Sequence, residues 1–309
     1  MPQVIVDKAN NVTLNYQCLG EGEDLLLIHG LGANLAFWYP AIASLLSKHY
    51  RVIIYDLRGH GRSAIPDSGY TVTSMAQDLQ ALLKHLGIGQ VHVVGHSFGA
   101  RIALYYAISN PQQVSSLTIA DTQFLCLQPR VRLGEWPYWE TWKQQLLKQG
   151  VSPPSDDEFI SFHLLTYLNQ VFTESTQENS ARRVRKPSLK TRDMGRKGKA
   201  RWHQLMSTTT AMQEFERDEE IREEDFKKVI MPTLAMYGEY SHCIPTCWRL
   251  QALIPDCNVV IFPDVGHFYP LIRPKRFVHS LWQFLQSHSS ISMAPTSLAF
   301  ERVHLYEKM

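Results

Sequence analysis

Short apolar, β-branched runs recur along the chain at Val4–Val6, Leu25–Ile28, Val52–Tyr55, Val91–Val94, Leu117–Ala120, Thr233–Tyr237 and Val259–Phe262. Runs this short and this apolar suit strands covered on both faces. Segments of helical period lie between many of them. From Ser74 to Leu86 the apolar positions Met75, Leu79, Leu82, Leu83 and Leu86 share one helix face, with Thr73 or Ser74 as N-cap. Arg101–Ile108 and Phe277–Leu285 read the same way. This alternation predicts an α/β fold, a mostly parallel sheet with helices on both faces. Val4–Val6 and Val12–Tyr16 flank Asn10-Asn11 and predict an antiparallel hairpin.

The rhythm breaks after Asp121. From about Gln123 to Asp225 no strand runs are visible, and the segment is helical, aromatic and charged. It holds Trp136, Trp139, Trp142 and Trp202, four of the seven tryptophans, and is expected to pack a small apolar surface of its own. The predicted organisation is a core of residues 1–122 and 226–288, a helical cap at 123–225, and a tail at 289–309, polar at first and expected to be partly mobile. Charge within the insertion is segregated. Arg182, Arg183, Arg185, Lys186, Lys190, Arg192, Arg196, Lys197, Lys199 and Arg201 form a basic run. Glu214, Glu216, Asp218, Glu219, Glu220, Glu223, Glu224 and Asp225 form an acidic one. Two solvated faces are the plainer expectation; the alternative is a basic rim for an anionic substrate or an acidic carrier protein.

Composition narrows the function classes. With 44% hydrophobic residues, 19% charged residues and a net charge of +2, the chain reads as an ordinary globular protein. That balance gives no reason to expect a nucleic-acid or membrane partner. The opening MPQVIVDKAN lacks a basic segment followed by an apolar one, so no secretory leader is expected. No stretch approaches the ~18 apolar residues of a membrane span. Cys18, Cys126, Cys243, Cys247 and Cys257 are too scattered for a disulfide framework and read as reduced thiols of a cytoplasmic protein. Cys243 and Cys247 could share a helix face as half of a metal site, but no second half lies nearby in sequence; two packed thiols are expected, and no metal.

The chemistry concentrates at strand ends. Val91 to Ala100 reads VHVVGHSFGA, a buried strand running through G-x-S-x-G into a helix. This context lifts Ser97 above the sheet edge at a helix N-terminus, as a nucleophile requires. A serine also needs a base. His267, in PDVGHF after the last strand, is the candidate, able to take the Ser97 proton and return it to a leaving group. His29-Gly30-Leu31-Gly32 ends the Leu25–Ile28 strand. The N–H groups of Leu31 and Phe98 are the candidate oxyanion hole. His29 and His96 flank these turns and are assigned packing roles, and Asp56 and Arg58, in DLRGHGRS, structural ones. Phe37, Trp38 and Phe268 are the candidate substrate contacts, with Phe98, Trp136, Trp139, Trp142 and Tyr269 as further aromatic lining. Together they favour an apolar acyl or aromatic small molecule.

These pieces, HGLG, DLRGHGRS, GHSFGA, YGE and the final GH, resemble in order and spacing the α/β-hydrolase superfamily and its cap-bearing branch. The resemblance runs from about Val12 to Leu285. It implies the α/β-hydrolase fold, with a sheet of about eight strands and a helical cap after the sixth, and no cofactor. Serine at the elbow argues against epoxide hydrolase and dehalogenase chemistry, which uses a carboxylate there.

One departure stands out. The family normally carries the acid that orients the histidine in G-E-x-D-x-x-x-P after the seventh strand; here that segment is GEYSHCIP, with Ser241 in the aspartate's place. Asp121, at the end of the sixth strand, and Glu239 are the carboxylates that could substitute, and a Ser–His pair without an acid is the third possibility. The expected activity is hydrolysis of a carboxylic ester or thioester through an acyl-enzyme on Ser97. Carbon–carbon hydrolysis of a 1,3-dicarbonyl, or a non-hydrolytic tailoring or binding role, are the alternatives.

Overall fold

The computed structural model describes residues 1–148, 150–161, 164, 195–215 and 221–289. Eight strands form one sheet: β1 (Gln3–Asp7), β2 (Val12–Leu19), β3 (Glu23–Ile28), β4 (Tyr50–Tyr55), β5 (Val91–His96), β6 (Val114–Ala120), β7 (Thr233–Gly238) and β8 (Cys257–Phe262). The spatial order is β1-β2-β4-β3-β5-β6-β7-β8. β1 pairs antiparallel with β2 about the turn at Asn11 (φ 53°), and β2 antiparallel with β4; the other pairings are parallel. Seven of these strands contain the apolar runs named above.

The pleat divides each strand between two cores. Leu26 and Ile28 of β3, Ile53 and Tyr55 of β4, and Leu117 and Ile119 of β6 face one layer. That layer contains α2 (Val72–His85), α3 (Phe98–Ser109) and α7 (Ile244–Leu253). Leu25 and Leu27, Val52 and Ile54, and Leu234 and Met236 face the other, covered by α1 (Ala43–Leu46) and α8 (Pro274–Ser287). The N-cap of α2 is Thr71, whose hydroxyl accepts from Ser74 N–H at 3.1 Å, so the helix begins ahead of the expected Thr73 or Ser74. Val72 is buried and extends the apolar face backwards, which moves the cap to the preceding hydroxyl.

The segment between β6 and β7 contains α4 (Trp139–Lys148), α5 (Gly195–Thr208) and α6 (Ala211–Phe215). Its first part has its own cluster, in which Leu133, Trp139, Leu146, Ile160 and Leu164 are buried and Trp136 and Trp142 pack alongside. Trp202 departs from the expectation. It lies parallel to Phe215 at 6.2 Å and packs on the main core. Phe215 in turn meets the edges of Phe98 and Tyr70. Glu214 accepts from Gly69 and Tyr70 N–H, and Arg201 donates to the Ser63 carbonyl. One member each of the basic and acidic runs therefore ties this helical segment to the loop after β4. Basic positions 182–192, acidic positions 216–220 and the tail from 290 lie outside the described residues.

Candidate active site

β5 delivers Ser97 into the turn before α3. Ser97 has φ 55° and ψ −125°, a backbone conformation costing a non-glycine residue roughly 1–3 kcal/mol. Close packing over-determines it. A Cβ at Gly95 would fall 2.3 Å from the Gly99 carbonyl oxygen, and one at Gly99 would fall 2.5 Å from the Ile28 oxygen. The absent side chains let α3 dock on the ends of β5 and β3. Ser97 N–H donates to Ala120 O at 2.9 Å, fastening the elbow to the end of β6.

The turn after β3 approaches from one side. A Cβ on Gly30 would meet Ser97 Cβ at 3.0 Å and its Oγ at 3.4 Å. His29 supports this turn from beneath. Its Nε2 accepts from Leu57 N–H at 3.1 Å, so Nδ1 carries the proton and donates to Gly30 O at 2.8 Å. Burial holds the ring neutral by pushing its pKa down to about 4. Asp56 accepts from Leu35 N–H at 2.7 Å and from Arg62 N–H and Asn15 Nδ2 at 2.8 Å. Arg58 grips Asp78 with two contacts of 2.6 Å, both side chains buried. These residues hold the loops around the elbow in place.

The next strand end carries Asp121, fully buried, with φ 49°. Its Oδ1 receives His267 Nδ1–H at 2.8 Å and Ser241 Oγ–H at 2.5 Å, and its Oδ2 receives Gly238 N–H at 2.9 Å. Burial alone would raise this carboxyl. The hydrogen bond and charge of His267, with the donors from Ser241 and Gly238, outweigh it and bring the pKa below the ordinary value. Ser241 Oγ also accepts from Cys243 N–H at 3.1 Å. Glu239 is exposed and accepts from Asp264 N–H at 2.9 Å, so its carboxylate is engaged away from His267.

His267 follows β8 and is held from behind as well. Its carbonyl accepts from His96 Nε2–H at 2.9 Å, and burial followed by the neighbouring His267 charge pushes His96 down to about 3. Phe37 stacks on His96 at 4.7 Å, and Phe268 meets the His267 ring edge at 5.1 Å; both are partly exposed beside the site. Trp38 is different from its assignment as a substrate contact. It has 0% exposure and packs against Phe277 beneath the sheet. Its neighbour Phe37 lies between it and the site, with Trp38 packed behind at a ring separation of 4.8 Å. Tyr269 is also fully buried, stacked on Phe262 with its hydroxyl donating to Met236 O, so it lines the core. Phe98 is buried against Phe215.

His242, assigned no role from the sequence, and Cys243, expected as a packed thiol, lie next to this cluster. His242 lies with its ring centroid 6.0 Å from that of His267, and its Nε2 is 3.4 Å from Cys243 Sγ. Their proximity to Asp121 follows from β6 and β7 being neighbours, a pairing no local motif announces.

Comparison with known proteins agrees with this fold. A family model described as alpha/beta hydrolase fold matches residues 25–274. The 2-hydroxy-6-oxo-6-(2'-aminophenyl)hexa-2,4-dienoic acid hydrolase of Metapseudomonas resinovorans is 25% identical over 93% of this chain and 92% of its own length. A 3-oxoadipate enol-lactonase of Acinetobacter baylyi is 34% identical over 47% of this chain and 52% of its own. A putative carbamate hydrolase of Variovorax paradoxus is 40% identical over 35% of this chain and 42% of its own. These last two matches thus span about half or less of those relatives. Among solved structures, a serine hydrolase involved in carbazole degradation superimposes with a TM-score of 0.63 at 23% identity, covering 93% of this chain and 98% of its own.

Proposed function

Because the chain belongs to the α/β-hydrolase family, we propose that it is a serine hydrolase cleaving a carboxylic ester or thioester of an apolar acyl or aromatic small molecule. The observation that carries this reading is the pairing of a strained Ser97 elbow with a partly buried Asp121–His267 hydrogen bond of 2.8 Å at the neighbouring strand ends. With Nδ1–H given to Asp121, His267 Nε2 is left as a proton acceptor. Ser97 Oγ attacks the acyl carbon while its proton passes to Nε2. The N–H groups of Leu31 and Phe98 receive the developing oxyanion. Losing one such donor typically costs about 2.7–4 kcal/mol of activation free energy. Nε2 then protonates the departing alcohol or thiol. Water, deprotonated by the same nitrogen, releases the acid and restores Ser97. Asp121 keeps its charge throughout and stabilises the imidazolium. Phe37 and Phe268 supply apolar contact for the acyl group. Ser241 holds the carboxylate of Asp121 rather than replacing it.

A second reading, hydrolysis of a carbon–carbon bond by the same serine, is favoured by the relative matched across nearly its whole length, whose named substrate is a vinylogous dicarbonyl acid. Parallel turnover of an aryl ester and a vinylogous diketone separates the two. The shared premise is tested with a fluorophosphonate probe and intact mass measurement. Stoichiometric labelling that disappears in Ser97→Ala is expected. Folded protein that stays unlabelled overturns both readings.

A further inference from the structure

The segment Ser241-His242-Cys243 fills the place where the family's aspartate would stand, and the proposed reaction uses neither His242 nor Cys243. Both side chains nevertheless border the acid–base pair. One donor atom from each of Asp121, Cys243 and His267 lies within 4.8 Å of the other two. His242 Nε2 is 3.4 Å from Cys243 Sγ. The Asp121, Cys243 and His267 donors are a carboxylate oxygen, a thiol and an imidazole nitrogen, a set matched to zinc and its thiophilic neighbours rather than to magnesium or calcium.

We propose that Asp121 Oδ1, His267 Nδ1 and Cys243 Sγ form a three-ligand inhibitory site for a thiophilic divalent cation such as Zn²⁺, with water completing the tetrahedron. Tetrahedral bonds of about 2.0–2.3 Å hold their donors roughly 3.3–3.8 Å apart. The three donors already lie within 4.8 Å of one another, and the Asp121–His267 pair at 2.8 Å opens by roughly 0.5 Å to admit the ion. Gly238 N–H and Ser241 Oγ–H remain on the carboxylate and keep it oriented, as outer-shell donors do in metal sites.

The consequence for the base is specific. The cation takes the Nδ1 lone pair, so the proton now on Nδ1 moves to Nε2. Cys243 gives its Sγ proton to solvent and binds as thiolate. With a proton on Nε2, His267 can donate toward Ser97 but no longer accept from it. The metal therefore inhibits by fixing the wrong tautomer, without covering the nucleophile. The inhibitory consequence rests on the proposed serine mechanism; binding of the metal does not.

The test titrates the protein with Co²⁺ and, in parallel, measures ester hydrolysis under buffered free Zn²⁺. Wild type is expected to develop a thiolate-to-cobalt charge-transfer band at one metal per chain. It is also expected to lose turnover at Zn²⁺ on the order of micromolar, reversed by chelator. Cys243→Ala and Cys243→Ser should keep basal turnover, lose the band, and need roughly tenfold or more Zn²⁺ for half inhibition. His242→Ala, which removes a neighbour of the thiol and no ligand, should retain the band. A wild type without the thiolate band, or equal Zn²⁺ sensitivity in wild type and both Cys243 variants, overturns the proposal. Failure of the hydrolase reading would appear separately, as absent turnover with the cobalt band intact.

Discussion

At the scale of single residues, the unusual feature is where the negative charge sits. Asp121 is seated at the end of β6 and receives a donor from each of three places: the neighbouring strand, the turn after it, and His267. Ser241 stands where the resemblance places the acid and donates to Asp121, the carboxylate that the proposed mechanism uses instead. This makes Ser241 a positioning residue. A hydrogen bond to a charged group contributes about 1.5–3 kcal/mol, part of which is felt by His267. Ser241→Ala should therefore lower kcat roughly tenfold with KM nearly unchanged. Glu239→Gln should change kcat by less than about twofold, since its carboxylate serves Asp264. Steady-state kinetics on one aryl ester separates these outcomes, and a larger loss in Glu239→Gln would reverse the assignment.

At the scale of elements, the elbow depends on how neatly α3 abuts β3 and β5, and on loops held by buried polar groups. The Arg58–Asp78 pair joins the loop after β4 to α2 and lies out of water on both sides. Removing one partner leaves the other charge uncompensated, so Asp78→Asn should cost about 3–5 kcal/mol of stability. Urea unfolding measures this, and a cost under about 1 kcal/mol would show the pair to be dispensable. Much at this scale was legible in the sequence. VHVVGHSFGA announces a strand, a tight turn and a helix because each local preference agrees with the next. The choice among Asp121, Glu239 and no acid was not legible. Asp121 and His267 are brought together only by the side-by-side order of β6, β7 and β8, which no local pattern encodes. Trp38 was misjudged for a related reason. Two adjacent aromatics beside the oxyanion turn look alike in sequence, yet only Phe37 faces the site. Trp202 was grouped with the other cap tryptophans by proximity along the chain, while α5 folds it back onto the main core.

At the scale of the whole molecule, the sheet gathers the ends of β3, β5, β6, β7 and β8 at one edge, where Gly30, Ser97, Asp121, Ser241 and His267 converge. The core beneath this edge encloses neutral histidines. Burial pushes His29 down to about 4, and His60 and His96 to about 3. The unfolded chain takes up these protons near the ordinary value of 6.5, whereas the folded chain refuses them until far lower pH. Their contribution to stability is therefore complete above pH ~6.5 and is lost as pH falls from there toward the folded values. Each such group adds up to about 1.4 kcal/mol per pH unit to the slope within that window. The urea midpoint should drop markedly between pH 7.5 and pH 5.5. A flat midpoint over that interval would mean that these rings already carry protons in the folded state. No described helix is long and apolar enough to cross a membrane.

The proposed mechanism requires Asp121 to make His267 a base for Ser97. The decisive measurement is kcat of Asp121→Asn on an ester that wild type turns over, alongside a check that the variant remains folded. In a serine protease the equivalent change lowers kcat by about 10⁴ through the wrong imidazole tautomer. A fall of roughly 10³-fold or more is expected in folded Asp121→Asn. A folded Asp121→Asn protein that retains activity within a few-fold of wild type would contradict the proposed mechanism.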